Sequence, residues 1–114
     1  MIRKFGLALA ATLLITGSAF ADDIVGNWRT DSGETAAISS CGGSFCIKLK
    51  TGKHAGKNIG SMAASGSGAY KGTITDPADD KKYSGRASLS GNALKMKGCI
   101  LGGVICRTQN WSRM

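Results

Sequence analysis

Four cysteines are the residues of this chain best placed to do chemistry. Cys41 and Cys46 flank Gly42-Gly43, and Cys99 and Cys106 flank Gly102-Gly103. Four thiols offer a zinc site, a redox pair or two structural disulfides. Zinc needs all four thiolates to converge. A redox pair wants C-x-x-C spacing or a helix N-terminus beside the thiol, and the sequence provides neither. Strand parity separates the readings. Cys46 falls on the side of Lys48 and Lys50, and Cys99 on the side of Lys95 and Lys97. Both pairs therefore belong to an outer, solvated face, each across its own hairpin. The expected pairing is local, Cys41 with Cys46 and Cys99 with Cys106, as directly opposed strand residues with Cα atoms about 5.5 Å apart. Loops this short contribute about 2 kcal/mol per bridge, and their main effect is to fix hairpin register.

The remaining reactive groups do not converge. His54, the single histidine, sits among lysines between Thr51 and Lys57 with no neighbouring carboxylate to orient it as a base, and reads as a surface residue. Asp76-Pro77-Ala78-Asp79-Asp80 lacks EF-hand spacing and reads as a turn opened by Asp-Pro. No serine lies in G-x-S-x-G or beside the histidine. The acids Asp22, Asp23, Asp31, Glu34, Asp76, Asp79 and Asp80 fall at the N-terminal side and in turns. The expectation is a protein that is not an enzyme and needs no metal or cofactor. Lys48, Lys50, Lys53 and Lys57 form a basic stripe without interleaved aromatics. That suits a solvated face or an anionic envelope partner rather than nucleic acid.

The elements that would position these groups have a period of two. Alternation is read over Ile24–Thr30, Glu34–Cys41, Phe45–Thr51, Asn58–Ala64, Tyr70–Thr75, Lys82–Leu89, Ala93–Ile100 and Val104–Arg113. Turn signals separate all eight, among them Asp31-Ser32-Gly33, Ser65-Gly66-Ser67-Gly68, Asp76-Pro77 and Ser90-Gly91-Asn92. A meander of eight short strands is most economically a small antiparallel up-and-down β-barrel, because closure removes both unpaired edges. A two-sheet β-sandwich is the alternative. Lysines on the faces opposite Ile47/Leu49 and Leu94/Met96 argue against a membrane-spanning barrel, which needs an apolar outer band.

Residues 1–21 read as a signal helix cleaved after Ala21: Arg3 and Lys4, an apolar run from Leu7 to Thr16, then Ala19-Phe20-Ala21. The apolar run is too short to span a bilayer. A single domain of 93 residues, 22–114, follows, expected in the periplasm or secreted as a monomer. It carries five aromatics, Trp28, Phe45, Tyr70, Tyr83 and Trp111. A core that thin is usually stapled, and disulfides do this in an oxidising compartment. Loss of Arg3 and Lys4 with the leader takes the formal charge from +8 to +6, a weak, salt-screened preference for anionic partners.

Closure makes the first and last strands neighbours. Trp28 can then lie under Arg113, a cation–π contact worth about 1 kcal/mol. Gly26-Asn27-Trp28 with Arg113 resembles in outline the signature of calycin (lipocalin-like) barrels, where a G-x-W in the first strand packs under a basic residue of the last. If Ile105 and Trp111 face the lumen, so do Arg107 and Gln109, and polar groups there need partners. Trp28, Arg107, Gln109, Trp111 and Arg113 are therefore the candidate ligand-binding set. The small lumen residues fit either an open lumen or a narrow, filled one.

The chain from Asp22 onward is similar to a family of small exported bacterial proteins known as domain of unknown function 2147. The matching residues are Gly26-x-Trp28-x-Thr30, Cys41-Gly42 with Cys46, Thr75-Asp76-Pro77 where the family tends to have Tyr-Asp-Pro, Lys82-Tyr83, Leu94, Gly98-Cys99-Ile100 and Cys106-Arg107-Thr108-Gln109-x-Trp111-x-Arg113. Many relatives carry a longer proline-rich insertion where this chain has only Gly52 to Ser67. The resemblance implies an exported β-rich domain and no particular activity. The functional expectation is a non-catalytic module binding a small molecule, with contact to an anionic envelope component through the basic outer surface as the alternative.

Overall fold

The period-two alternation becomes eight antiparallel strands in the computed structural model, which describes residues 23–114. They are β1 Gly26–Arg29, β2 Thr35–Cys41, β3 Ser44–Leu49, β4 Asn58–Gly66, β5 Ala69–Thr75, β6 Lys82–Ser90, β7 Ala93–Ile100 and β8 Ile105–Arg113. Each strand pairs with the next and β8 returns to β1, closing an up-and-down barrel. The sandwich alternative is not formed. The leader helix and its cleavage site lie outside the described residues.

Strand limits fall within two residues of those read from the alternation. The ring is nevertheless uneven. β7 and β8 pair along their whole length, from Ala93↔Ser112 to Ile100↔Ile105. β1 and β8 share only Trp28↔Arg113 and Arg29↔Ser112. Ile105–Trp111 therefore have no ladder partner on the β1 side among the described residues, and the wall is notched there. The notch accounts for one departure from expectation. Ile105 has inward parity but is 51% exposed, because no β1 backbone stands beside it.

Below the notch the lumen is filled. Ile24, Trp28, Ile38, Ile47, Met62 and Leu94 are almost wholly inaccessible. Phe45 and Tyr70 meet edge to face at 5.8 Å, the geometry aromatic quadrupoles prefer. Met62, Gly72 and Gly85 are successive register partners across β4, β5 and β6. The glycines make way for neighbours. A Cβ on Gly85 would stand 2.8 Å from Ile74 Cγ1 and 2.9 Å from Met62 Cε, and one on Gly72 would run into the Ser61 carbonyl. Small residues at this level thus mark a narrow, filled barrel.

Both disulfides form with the expected pairing, with Cα separations of 5.8 Å for Cys41–Cys46 and 4.1 Å for Cys99–Cys106. Their placement differs from expectation in one respect. Cys99 is directly opposite Cys106, but Cys46 is opposite Ser39 and Cys41 opposite Ser44, so the first bridge runs diagonally. The two-residue Gly42-Gly43 turn sets this register, since it makes Cys41 and Ser44 the last pair before the turn.

The filled level yields a stability prediction. Gly85→Ala forces Ile74 or Met62 out of place and should lower unfolding stability by about 1–3 kcal/mol. Gly43→Ala, with open space around it and no positive φ, should change it by less than about 0.5 kcal/mol. Urea denaturation of the two variants checks this; equal midpoints would mean the lumen is looser than its contacts imply.

Candidate ligand-binding site at the barrel mouth

Up-and-down topology sends alternate connections to opposite ends. One end, the floor, collects the β2–β3, β4–β5 and β6–β7 turns with residues 23–25. The other, the mouth, collects the connections 30–34, 50–57, 76–81 and 101–104.

The floor is closed by one cation. The Arg113 guanidinium lies 4.4 Å from the centre of the Trp28 ring. Its Nη2 donates to the Asp23 carbonyl at 2.7 Å and to the Gly91 carbonyl at 3.4 Å. The Trp28 indole N–H donates to the Ile24 carbonyl at 2.9 Å, so the buried ring leaves no polar atom unsatisfied. Gly26 has φ +140, and a Cβ there would lie 3.6 Å from Arg113 Nη1. The backbone angle rather than crowding selects glycine at the first position of G-x-W.

The mouth holds two adjoining cavities. The first, of about 210 Å³, has an apolar wall of Ile47, Ile59, Ile74, Met96 and Trp111 and a polar rim that includes Asp76, Tyr83, Arg107 and Gln109. The second, of about 330 Å³, is lined by Thr30, Ser32, Glu34, Thr51, Lys53 and His54 and shares Ile59, Pro77, Gln109 and Trp111 with the first. Ile59 reaches both because the β3–β4 ladder slips by one residue there. Ile47 pairs with Gly60 and Lys48 with Asn58, leaving Ile59 as the extra residue of a bulge, and bulges re-aim side chains.

Most polar groups at the mouth are occupied. The Trp111 indole N–H donates to Gln109 Oε1 at 2.9 Å. Thr51 Oγ1 donates to Glu34 Oε1 at 2.7 Å and accepts from the Thr35 amide at 2.9 Å. The Asp76 and Asp79 carboxylates accept from the Ala78 and Lys81 amides, both at 2.9 Å, which makes this segment the turn its sequence suggested. Lys57 Nζ donates to the Pro77 carbonyl at 3.0 Å and to Asp80 Oδ1 at 3.1 Å. It straps the β3–β4 connection to the β5–β6 turn. Arg107 differs: its guanidinium has no hydrogen-bond or ion-pair partner among the described residues, and it stands exposed beside the apolar wall.

Of the five candidate residues, Arg107, Gln109 and Trp111 come together at the first cavity. Trp28 and Arg113 sit at the floor, on each other, and line neither cavity. His54 departs from the surface reading: it is half-buried and lines the second cavity with Glu34. The signal for that pairing was the meander itself, which sends the first and third turns to one end. The lysine stripe also divides. All four are exposed, but Lys48 stands on β3, whereas Lys50, Lys53 and Lys57 belong to the connection at the mouth. Among the described residues no three His, Cys, Asp or Glu side chains converge as metal ligands, and no helix is long and apolar enough to cross a membrane.

These features define a small, disulfide-stapled antiparallel β-barrel with a covered floor and a notched, open mouth. Residues 48–113, reaching from β3 to the last residue of β8, match the family described as uncharacterized protein conserved in bacteria, DUF2147, and the chain belongs to it. No curated protein and no solved structure matches the chain.

The floor supplies its own test. Arg113→Ala removes a cation–π contact and hydrogen bonds to two carbonyls, and should destabilise the fold by about 2 kcal/mol. Arg113→Lys should recover only part of that, because an ammonium cannot cover the ring and reach both carbonyls in one plane. Urea melts followed by tryptophan fluorescence measure both; an Arg113→Ala protein as stable as the parent would remove the closure argument.

Proposed function

We propose that this chain is a non-catalytic binding module that takes a small amphipathic ligand with an anionic end at the barrel mouth. The observation that carries the reading is the unpartnered Arg107 beside the apolar wall formed by Ile47, Ile59, Ile74, Met96 and Trp111. An apolar surface with few placed polar groups is the usual composition of a small-molecule site. The guanidinium fork matches a carboxylate or phosphate. Cavities of about 210 and 330 Å³ fall below and at the lower end of the roughly 300–1,000 Å³ that holds drug-sized ligands, so the ligand is small.

The second cavity brings Ser32, Glu34 and His54 to one lining, but their bonding supports binding over catalysis. The Ser32 hydroxyl is paired with Thr30 Oγ1 at 3.1 Å, and the Glu34 carboxylate with Thr51. Neither is hydrogen-bonded to His54, as a nucleophile or an orienting group would be. The two disulfides suit an oxidising, extracytoplasmic compartment. Together with the leader-like residues 1–21, they support export to the periplasm or beyond, with cleavage near Ala21.

Mass spectrometry of the protein purified from a periplasm tests both parts. The denatured mass should correspond to a chain beginning at Asp22 with four hydrogens fewer than the thiol form. The native spectrum should carry a small adduct. Octanoate, an apolar chain with one carboxylate, should shift Trp111 fluorescence, and Arg107→Gln should weaken that response by about tenfold, the loss of one charge-assisted pair. An apo spectrum together with no response to octanoate would move the function away from the mouth.

A further inference from the structure

We propose that the outer wall of β5, β6 and β7, with the tip of the β7–β8 hairpin, is a docking surface for an anionic lipid bilayer. The proposal is independent of the mouth site and rests on two observations. The first is charge. Lys71 is directly opposite Arg86, and Arg86 directly opposite Lys97. Lys95 lies two residues from Lys97 on the same face. All four side chains are exposed. Like charges placed opposite each other across a ladder destabilise a sheet, and no carboxylate among the described residues is paired with them. The outward positions of β5, β6 and β7 hold only Ala, Ser, Thr, Cys, Lys and Arg. The one ion pair among the described residues, Lys57–Asp80, is at the mouth.

The second observation is apolar. Leu101 and Val104, at the tip joining β7 to β8, are 69% and 80% exposed, and Ile105 stands beside them. Leu101 has φ +54, in the left-handed region where a branched apolar side chain is costly. The Cys99–Cys106 bridge holds the base of this hairpin, next to Lys97. An apolar tip held out of the fold beside a cationic wall is the combination that binds at a bilayer interface, where apolar insertion and attraction to anionic headgroups act together. A single-stranded nucleic acid would need aromatic faces among the cations, and the wall has none.

The test is co-sedimentation of the purified protein with vesicles of phosphatidylglycerol in phosphatidylcholine and with vesicles of phosphatidylcholine alone. All variants are compared with the same N-terminus, established by mass. The expected result is binding to the anionic vesicles only, weakened by salt. Arg86→Glu with Lys97→Glu should lower it by about tenfold or more. Leu101→Asn with Val104→Ser should lower it by about tenfold without lowering Tm, because Asn tolerates the left-handed angle. Equal binding to both vesicle types, or none to either, overturns the proposal. So does binding that needs the cation row but ignores the tip variant, which would mark a site for a soluble polyanion such as heparin.

Discussion

The barrel depends on the contact between Arg113 and Trp28. β1 is four residues long, and its seam with β8 is two residue pairs. Every other seam is longer, with four pairs where β1 meets β2 and where β3 meets β4 at the bulge, and six or more elsewhere. So little ladder cannot by itself hold a sheet into a ring. The Arg113 guanidinium compensates by joining three separate pieces of chain at one point: the Trp28 ring, the carbonyl of Asp23 and the carbonyl of Gly91. The same short seam leaves the wall open above it. Closure at the floor and the notch at the mouth are two results of one short strand.

The interior follows from that division. Below the notch, large side chains from around the ring meet, and Gly72 of β5 and Gly85 of β6 are present because Met62, Ile74 and the Ser61 carbonyl occupy the space a side chain would take. Towards the mouth the ring loses its β1 side and the packing ends. The remaining space is shaped by devices that turn residues inward or hold loops in place: the bulge that aims Ile59, the bond that fixes Gln109 to Trp111, and the Lys57 strap. Arg107 is left with solvent on one side and an apolar wall on the other.

Much of this was legible in the sequence, because a period of two fixes which residues share a face. Ile38, Ile47, Leu94, Met96 and Trp111 were readable as core, and Cys46 and Cys99 as outer-face, without knowing any partner strand. Gly26-Asn27-Trp28 and Arg113 pointed to each other once closure was assumed. What escaped reading depends on register, which the alternation of a single strand does not contain. The diagonal placement of Cys41 and Cys46 is set by the turn. The cation row of Lys71, Arg86 and Lys97 exists only when three strands are aligned, whereas the lysines that looked like a stripe along the chain, Lys48 to Lys57, part company in space. Ile59 could not be distinguished from its neighbours because a bulge breaks the very alternation used to assign faces. His54 and Glu34 are far apart in sequence and meet because a meander returns to the same end.

The order of the strands also bears on how the chain reaches this state. Seven of the eight pairings join neighbours in sequence, so the contacts that build them are local, and local contacts form fast. The eighth draws Arg113 to a carbonyl 90 residues away, and its loop entropy must be met before the seam returns anything. The ring therefore closes last, from a curled sheet whose two free edges are β1 and β8. Until then all of β8 offers an uncovered row of backbone donors and acceptors, the kind of edge on which chains join one another, and closure pairs it only at Ser112 and Arg113. At high concentration, refolding of this protein becomes a competition between a chain finding its own beginning and finding that of its neighbour.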